Sequence, residues 1–190
     1  PSDTGFATVL DSFWNAWHDL SRPDNPDNLT ARAVLKERAV ALADTFNQTA
    51  SKLNDLKNDL TRNIEIKVSE VNNLLDKVAS LNNEIFRIEA LGDQANDLRD
   101  QRDLLVDQIS KIINVSVSQQ PNGYRLTMGS VELVNGAQIT QPLDAGTVAG
   151  QAAGGDLSGG EIYGMIISRD TYVNNYIDQL DALAKTLATG

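Results

Sequence analysis

The sequence predicts a mainly α fold: an elongated antiparallel helical bundle with a small antiparallel β-meander packed on it. Three observations carry this. Apolar residues recur in steps of three and four from Leu35 to Ile88, the signature of one helical seam. No Gly or Pro interrupts the chain between Ala31 and Leu91, so nothing local forces a break. From Asn114 the apolar period changes to two, punctuated by Asn-Gly and Gly-Ser.

The elements follow in order along a single elongated domain of 190 residues. Phe6, Leu10, Phe13, Trp14 and Trp17 place a helix over about 5–20. It either caps one end of a bundle or holds an aromatic patch for a neighbouring subunit. Ser21–Asn28 (SRPDNPDN) reads as a joint, with Asn25 as N-cap and Pro26 at the first helical position of a helix over about 26–91. Its seam runs through Leu35, Ala39, Leu42, Phe46, Thr49, Leu53, Leu56 and Leu60. It then slips by one position and resumes at Ile64, Val68, Val71, Leu74, Val78, Leu81, Ile85 and Ile88. Continuous, such a helix measures roughly 90 Å; the slip leaves open a break after Leu60. Leu53, Leu56 and Leu81 lie mid-seam and are expected in the core.

Gly92 can end that helix in the left-handed region. Asn96 or Asp97 can cap the next, over about 96–113, which a short connection folds back as an antiparallel neighbour. Val115 and Val117, then Tyr124, Leu126 and Met128, then Val131 and Leu133 form a three-stranded meander over about 114–135. The Gly-rich 136–159 reads as a loosely ordered connection. A last helix covers about 160–188, with Arg169 where an apolar residue is expected.

Composition narrows function. Twenty-six acidic against 16 basic residues give a net charge of −10, which argues against sequence-independent nucleic-acid binding. Without cysteine, disulfides and thiolate metal sites are excluded. No apolar run approaches a membrane span, and the opening residues lack a signal-peptide pattern. His18 is the only histidine, and its neighbour Asp19 points about 100° away on a helix, so the pair does not face. Asp93, Asp97, Asp100, Asp103 and Asp107 fail the calcium-loop pattern, because Ala95 takes the second ligand position. They read instead as a solvated acidic helix, with Arg99 and Arg102 in local ion pairs. The glycines match no phosphate loop and no nucleophile elbow. No catalytic residue, metal or cofactor is expected.

One ordered set of residues goes further. Asn96, Asp97, Leu98, Asp100, Gln101, Arg102, Asp103 and the Leu104–Leu105 pair lead into Ile109-Ser110 and Asn114-Val115. The Asn122-Gly123 hairpin, Leu133-Val134-x-Gly136, Gly154-Gly155-x-Leu157-x-Gly159-Gly160 and Arg169-Asp170 follow. Upstream stand Phe13-Trp14-x-x-Trp17-x-x-Leu20, the Pro-containing joint and Ala31-Arg32. This series resembles the axial proteins of the bacterial flagellum, in particular the first hook-associated family at the hook–filament junction. The resemblance covers nearly the whole chain.

It implies a structural subunit that joins hook to filament in a ring of identical copies. The family-motif residues Asn96, Asp97, Asp100, Gln101, Arg102, Asp103, Asn122, Gly123, Arg169 and Asp170 would then be structural. The implied partners are identical subunits, the hook protein, the filament-side hook-associated protein and an export chaperone, with no nucleic acid and no membrane. The implied location is extracellular, reached through the flagellar secretion apparatus without a cleaved signal. The family's tube-forming termini are not matched, so a central fragment lacking both terminal segments is expected. Two other readings compete. A helical adaptor or secretion-chaperone-like module would not require the ordered Gly-Gly and Asn-Gly elements. An enzyme built on His18 and carboxylates would need a concave pocket for which the sequence gives no pattern.

Overall fold

The computed structural model describes residues 3–22 and 28–189. The chain is mainly α with one small antiparallel meander. Helices α1 (Asp3–Leu20), α2 (Leu29–Glu89) and α3 (Asn96–Ile112) precede strands β1 (Ser116–Gln120), β2 (Gly123–Met128), β3 (Val131–Asn135) and β4 (Gln138–Ile139). Then come α4 (Val148–Gly154), α5 (Gly160–Ile167), a π-helical turn (Ser168–Val173) and α6 (Asn174–Thr189). Two compact units divide the chain. A terminal unit takes the residues up to Leu56 and from Asn174 onward; a central unit is Lys57–Val173.

In the terminal unit, α1 carries Phe6 against Phe46, edge to face with ring centres 5.0 Å apart. Phe13 touches both Trp14 and Trp17, yet both indoles are half-exposed. The expected cap of α2 at Asn25-Pro26 lies outside the described residues. Within them, Asn28 does the capping: its Oδ1 accepts from the N–H groups of Thr30 at 2.9 Å and Ala31 at 3.2 Å, satisfying two donors the first turn cannot pair. Leu42 is the one described apolar side chain of this unit in the buried class. Leu56, expected in the core, is 47% exposed and helps line a groove of about 690 Å³ with Phe6, Leu10, Leu53, Tyr176 and Leu180.

α2 continues unbroken past Leu60, so the slip in the seam does not interrupt the helix. Downstream the buried stripe broadens to Ile64, Val68, Val71, Leu74, Leu75, Val78, Ala79 and Ile85. It joins Ile109, Ile112 and Ile113, then Leu126, Met128, Leu133 and Val134, and finally Leu157, Ile162 and Ile166 in one core. Gly92 at φ +93° follows the end of α2, and its N–H donates to Glu89 O at 3.0 Å. The expected caps of α3 do not form. Ala95 occupies the N-cap position without a side-chain bond, and Asn96 and Asp97 are exposed first-turn residues.

The sheet has four strands, in order β1-β2-β3-β4, one more than the sequence predicts. Each hairpin closes over two residues: Gln120 pairs Gly123, Met128 pairs Val131 and Asn135 pairs Gln138. The third turn, Gly136-Ala137, holds Gly136 at φ +58° and adds β4 where a loose connection is expected. A register shift opposite Leu126 and Thr127 leaves Leu133 between the paired Glu132 and Val134. Such a bulge breaks strict alternation, and Leu133 and Val134 are accordingly both buried.

The rest of the Gly-rich stretch is ordered too. Asp144 Oδ1 accepts from the N–H groups of Gly146 at 2.6 Å and Thr147 at 3.1 Å, opening α4. Leu143, Val148 and Leu157 anchor the segment in the core. The final helix is not one element. The π turn shifts the helical register, and this is why Arg169 breaks the expected apolar stripe.

Candidate functional site

The densest polar site lies where α2, α3 and the meander meet, and its centre is Asn82. This position continues the buried stripe of α2 (Val78, Asn82, Ile85), and Asn82 is fully buried. A buried amide must find partners for two donors and one acceptor oxygen, and it does. Its Nδ2 donates to Tyr124 O at 3.1 Å and Gly136 O at 2.8 Å. Its Oδ1 accepts from Tyr124 N at 2.9 Å and Arg102 Nη1 at 3.1 Å. One side chain thereby ties the β1–β2 and β3–β4 turns to α2.

Gly123 is required by this contact: its φ is +122°, and a Cβ there would lie 2.7 Å from Asn82 Cγ. The Asn-Gly pair expected as a turn signal is therefore also a clearance for Asn82. Arg102 stacks its guanidinium 3.3 Å from the Tyr124 ring centre, a cation–π contact in a desolvated setting. Burial pushes the Tyr124 phenol above its ordinary pKa, and Asp103 adds to the rise.

Two more asparagines repeat the device. Asn72 on α2 exchanges two 2.9 Å bonds with the backbone of Leu143. Asn114 bonds Asp156 O and Ser158 N, each at 2.8 Å. Each side-chain amide mimics a strand partner and fixes a loop that has no sheet to join. Asp156 adds a fourth tie, accepting from Ser130 N at 2.7 Å and Ser130 Oγ at 2.8 Å, and those bonds hold its carboxyl below the usual range.

The sequence-derived motif residues divide on placement. Asn96, Asp97, Asp100 and Gln101 are exposed on α3. Arg102 is buried to 1% exposure, which corrects the expectation of a solvated local ion pair. Asp103 is largely exposed, with Oδ1 3.8 Å from Arg102 Nε. Asn122 is exposed and reaches Asn135 Oδ1 at 3.4 Å, while Gly123 is buried at the hub. Arg169 and Asp170 lie on the π turn, bonded at 2.7 and 2.8 Å. Arg169 lowers the Asp170 pKa and is itself raised by that partner.

Arg99 is paired, but across elements. It grips Glu89 at the end of α2 through two bonds of 2.6 and 2.7 Å, which depress the Glu89 pKa. The pairs Glu89–Arg99 and Asn82–Arg102 step in opposite directions along the chain, so α2 and α3 run antiparallel here.

Asn82, Asn72 and Asp156 escape the sequence reading, and Tyr124 enters it only as a strand residue. The available signal is a lone Asn on an apolar stripe, where burial obliges a dedicated partner. His18 is exposed on α1. Among the described residues, no group of three or more His, Cys, Asp or Glu is placed to hold a metal. No described helix is long and apolar enough to cross a membrane.

Comparison with known proteins follows the same lines. The family model described as "Flagellar hook-associated protein FlgK helical domain" matches residues 1–190. Flagellar hook-associated protein 1 of Bacillus subtilis is 37% identical over 121 residues, covering 64% of this chain and 24% of that protein. Its Salmonella typhimurium counterpart is 36% identical over 136 residues, covering 70% and 24%. The Escherichia coli one is 33% identical over 144 residues, covering 74% and 26%. The chain thus spans about a quarter of the length of these relatives. The flagellar hook junction protein FlgK from Burkholderia pseudomallei superposes with a TM-score of 0.72 over 87% of this chain and 33% of that one. At 21% identity this likeness speaks to the fold alone. With its helical-domain model matched from the first residue to the last, the chain belongs to the flagellar hook-associated protein FlgK family.

Proposed function

We propose that the chain serves as a structural part of the flagellum, within a ring of identical subunits that joins hook to filament. The full-length match to the helical-domain model is the observation that carries this reading. In it the chain works through shape. The asparagine ties hold the meander and the Gly-rich segment at fixed positions on α2 and α3, so that a subunit presents the same surface to each neighbour. Asn96, Asp97, Asp100, Gln101, Arg102, Asp103, Asn122, Gly123, Arg169 and Asp170 have structural roles, and no catalytic step is assigned. The partners are identical subunits, the hook protein and the filament-side hook-associated protein. The location is extracellular, reached through the flagellar export apparatus with a chaperone's help.

The test is a graft. The chain replaces the matching segment of Salmonella typhimurium hook-associated protein 1 in a strain lacking its own copy. Attached filaments and swimming are expected; an exported chimera that leaves filaments unattached would overturn the role. By itself the chain, at net −10, is expected to sediment as a monomer at micromolar concentration, because like charge opposes association.

A further inference from the structure

The sheet ends on one side in an unguarded edge. β1 is the outermost strand, and β2 is its only strand neighbour. Exposed edges are usually blunted by short length, charge, proline or a bulge. The opposite edge, β4, is two residues long. β1 has five residues, Ser-Val-Ser-Gln-Gln, without a charge or a proline, and it pairs with β2 without a register shift. Tyr124 fixes which of its backbone groups face outward. The Tyr124 N–H donates to Asn82, and its C=O accepts from Asn82 and Gly136, so both point away from β1. Gln119, directly opposite, therefore sits in a pair that exchanges no bonds, and its own N–H and C=O face outward. Val117, two residues back, repeats the orientation. Among the described residues no backbone group bonds any of these four. Val117 also stands opposite Leu126, in the row of buried Leu126 and Met128, yet it is 42% exposed because no strand follows it.

We propose that this edge receives β1 of a second copy, antiparallel and centred on Ser118. The edge is complementary to itself: Val117 then faces the partner's Gln119, and Gln119 faces the partner's Val117. Each of these two pairs exchanges two hydrogen bonds, and the two sheets join into one about a two-fold axis. Shifting the register sets an outward residue against Val115, outside the strand, or Pro121, which has no N–H. β1 brings no charge to the contact, so the net −10 of each chain opposes it only at long range, where salt screens it. A five-residue edge buries far less than the roughly 1,200–2,000 Å² of a stable interface. Pairing is therefore weak, with a dissociation constant on the order of 1 mM, and the chain stays monomeric at micromolar concentration. A two-fold contact cannot link neighbours around one cyclic ring, so the pairing is separate from the ring role.

Nuclear magnetic resonance of the Val117 and Gln119 amides reads the edge directly. The chain is concentrated at high salt from about 20 μM to about 2 mM, over which pairing should rise from under about a tenth to above about half. A concentration-dependent downfield shift confined to these amides and their neighbours is expected. Gln119→Pro removes one outward donor and keeps the β2 ladder, and Val117→Lys puts a charge on the edge. Both should abolish the shift while the Leu126 amide stays protected from exchange. No dependence on concentration, or a dependence that survives both substitutions, overturns the pairing. The blocked peptide Ser-Val-Ser-Gln-Gln should reproduce the two shifts in dilute chain. An equal response to a blocked pentathreonine would assign the edge to any extended strand and overturn the second copy as its partner.

Discussion

The two units share one helix, α2, and use it in opposite ways. In the terminal unit its stripe of Leu35, Ala39, Phe46 and Leu53 stays half-covered, and Leu42 alone of the described apolar side chains there is buried. In the central unit the same helix buries Ile64, Val71, Leu75 and Val78 almost completely. The seam reads equally well in both halves. The difference is what covers it: Phe6 of α1 and Tyr176 and Leu180 of α6 line an open groove with Leu53 and Leu56, whereas α3, the meander, Leu157 and α5 close over the central stretch from several sides. Polar ties follow the same division. Asn72, Asn82, Asn114 and Asp156 all act in the central unit, and the described carboxylates with depressed pKa (Glu89, Glu132, Asp156 and Asp170) lie there too. An amphipathic period therefore specifies a helix, while burial depends on the number of elements available to cover it.

The contrast can be broken most severely at the hub. Asn82→Ala leaves the Tyr124 N–H and C=O, the Gly136 C=O and the Arg102 guanidinium without their partner, and should cost about 3–5 kcal/mol. Gly160→Ala should cost about as much: φ is +86°, and a Cβ would lie 2.5 Å from the Ile112 carbonyl. Gly92→Ala, at φ +93° with nothing within 4 Å, tests backbone conformation alone and should cost about 1–2 kcal/mol. Urea unfolding of the three variants checks the ranking, and equal losses would mean that close packing at Gly160 contributes nothing.

Next in size is a matched pair of truncations along α2. Leu75→Ala, from a fully buried position, should lose about 2–5 kcal/mol. Leu56→Ala, from a half-exposed one, should lose less than about 1 kcal/mol. Comparable losses would show that the terminal unit buries Leu56 in solution.

Acid should act on the central unit. Bonding by Ser130 lowers the folded pKa of Asp156, so its ionised form favours the folded state. That contribution is complete above the unfolded value of about 3.9 and fades as pH falls through the lower folded value. Unfolding at neutral pH and near pH 3 should show a smaller acid-induced loss for Asp156→Asn than for the native sequence. An unchanged loss would remove Asp156 from the acid response. The smallest effect is expected at His18→Ala and Asp93→Ala, both exposed, within about 0.5 kcal/mol of the native stability by thermal melting.

What the sequence by itself determined is local. The period of three and four made α2, the freedom from Gly and Pro let it run past the slip at Leu60, and Asn122-Gly123 and Gly129-Ser130 set two hairpins. Likeness to the hook-associated family was legible from an ordered series of short elements, although each is weak alone. Only the tertiary structure decided which parts of the stripe are buried, because covering a face requires elements distant in sequence. It also decided that Arg102 turns inward onto Tyr124, since charge favours solvent until a ring and an amide are brought to it. The order of the Gly-rich segment was decided the same way. Glycine supplies no local preference, and the segment is held by Asn72, Asn114 and Asp156, whose partners lie up to 71 residues away.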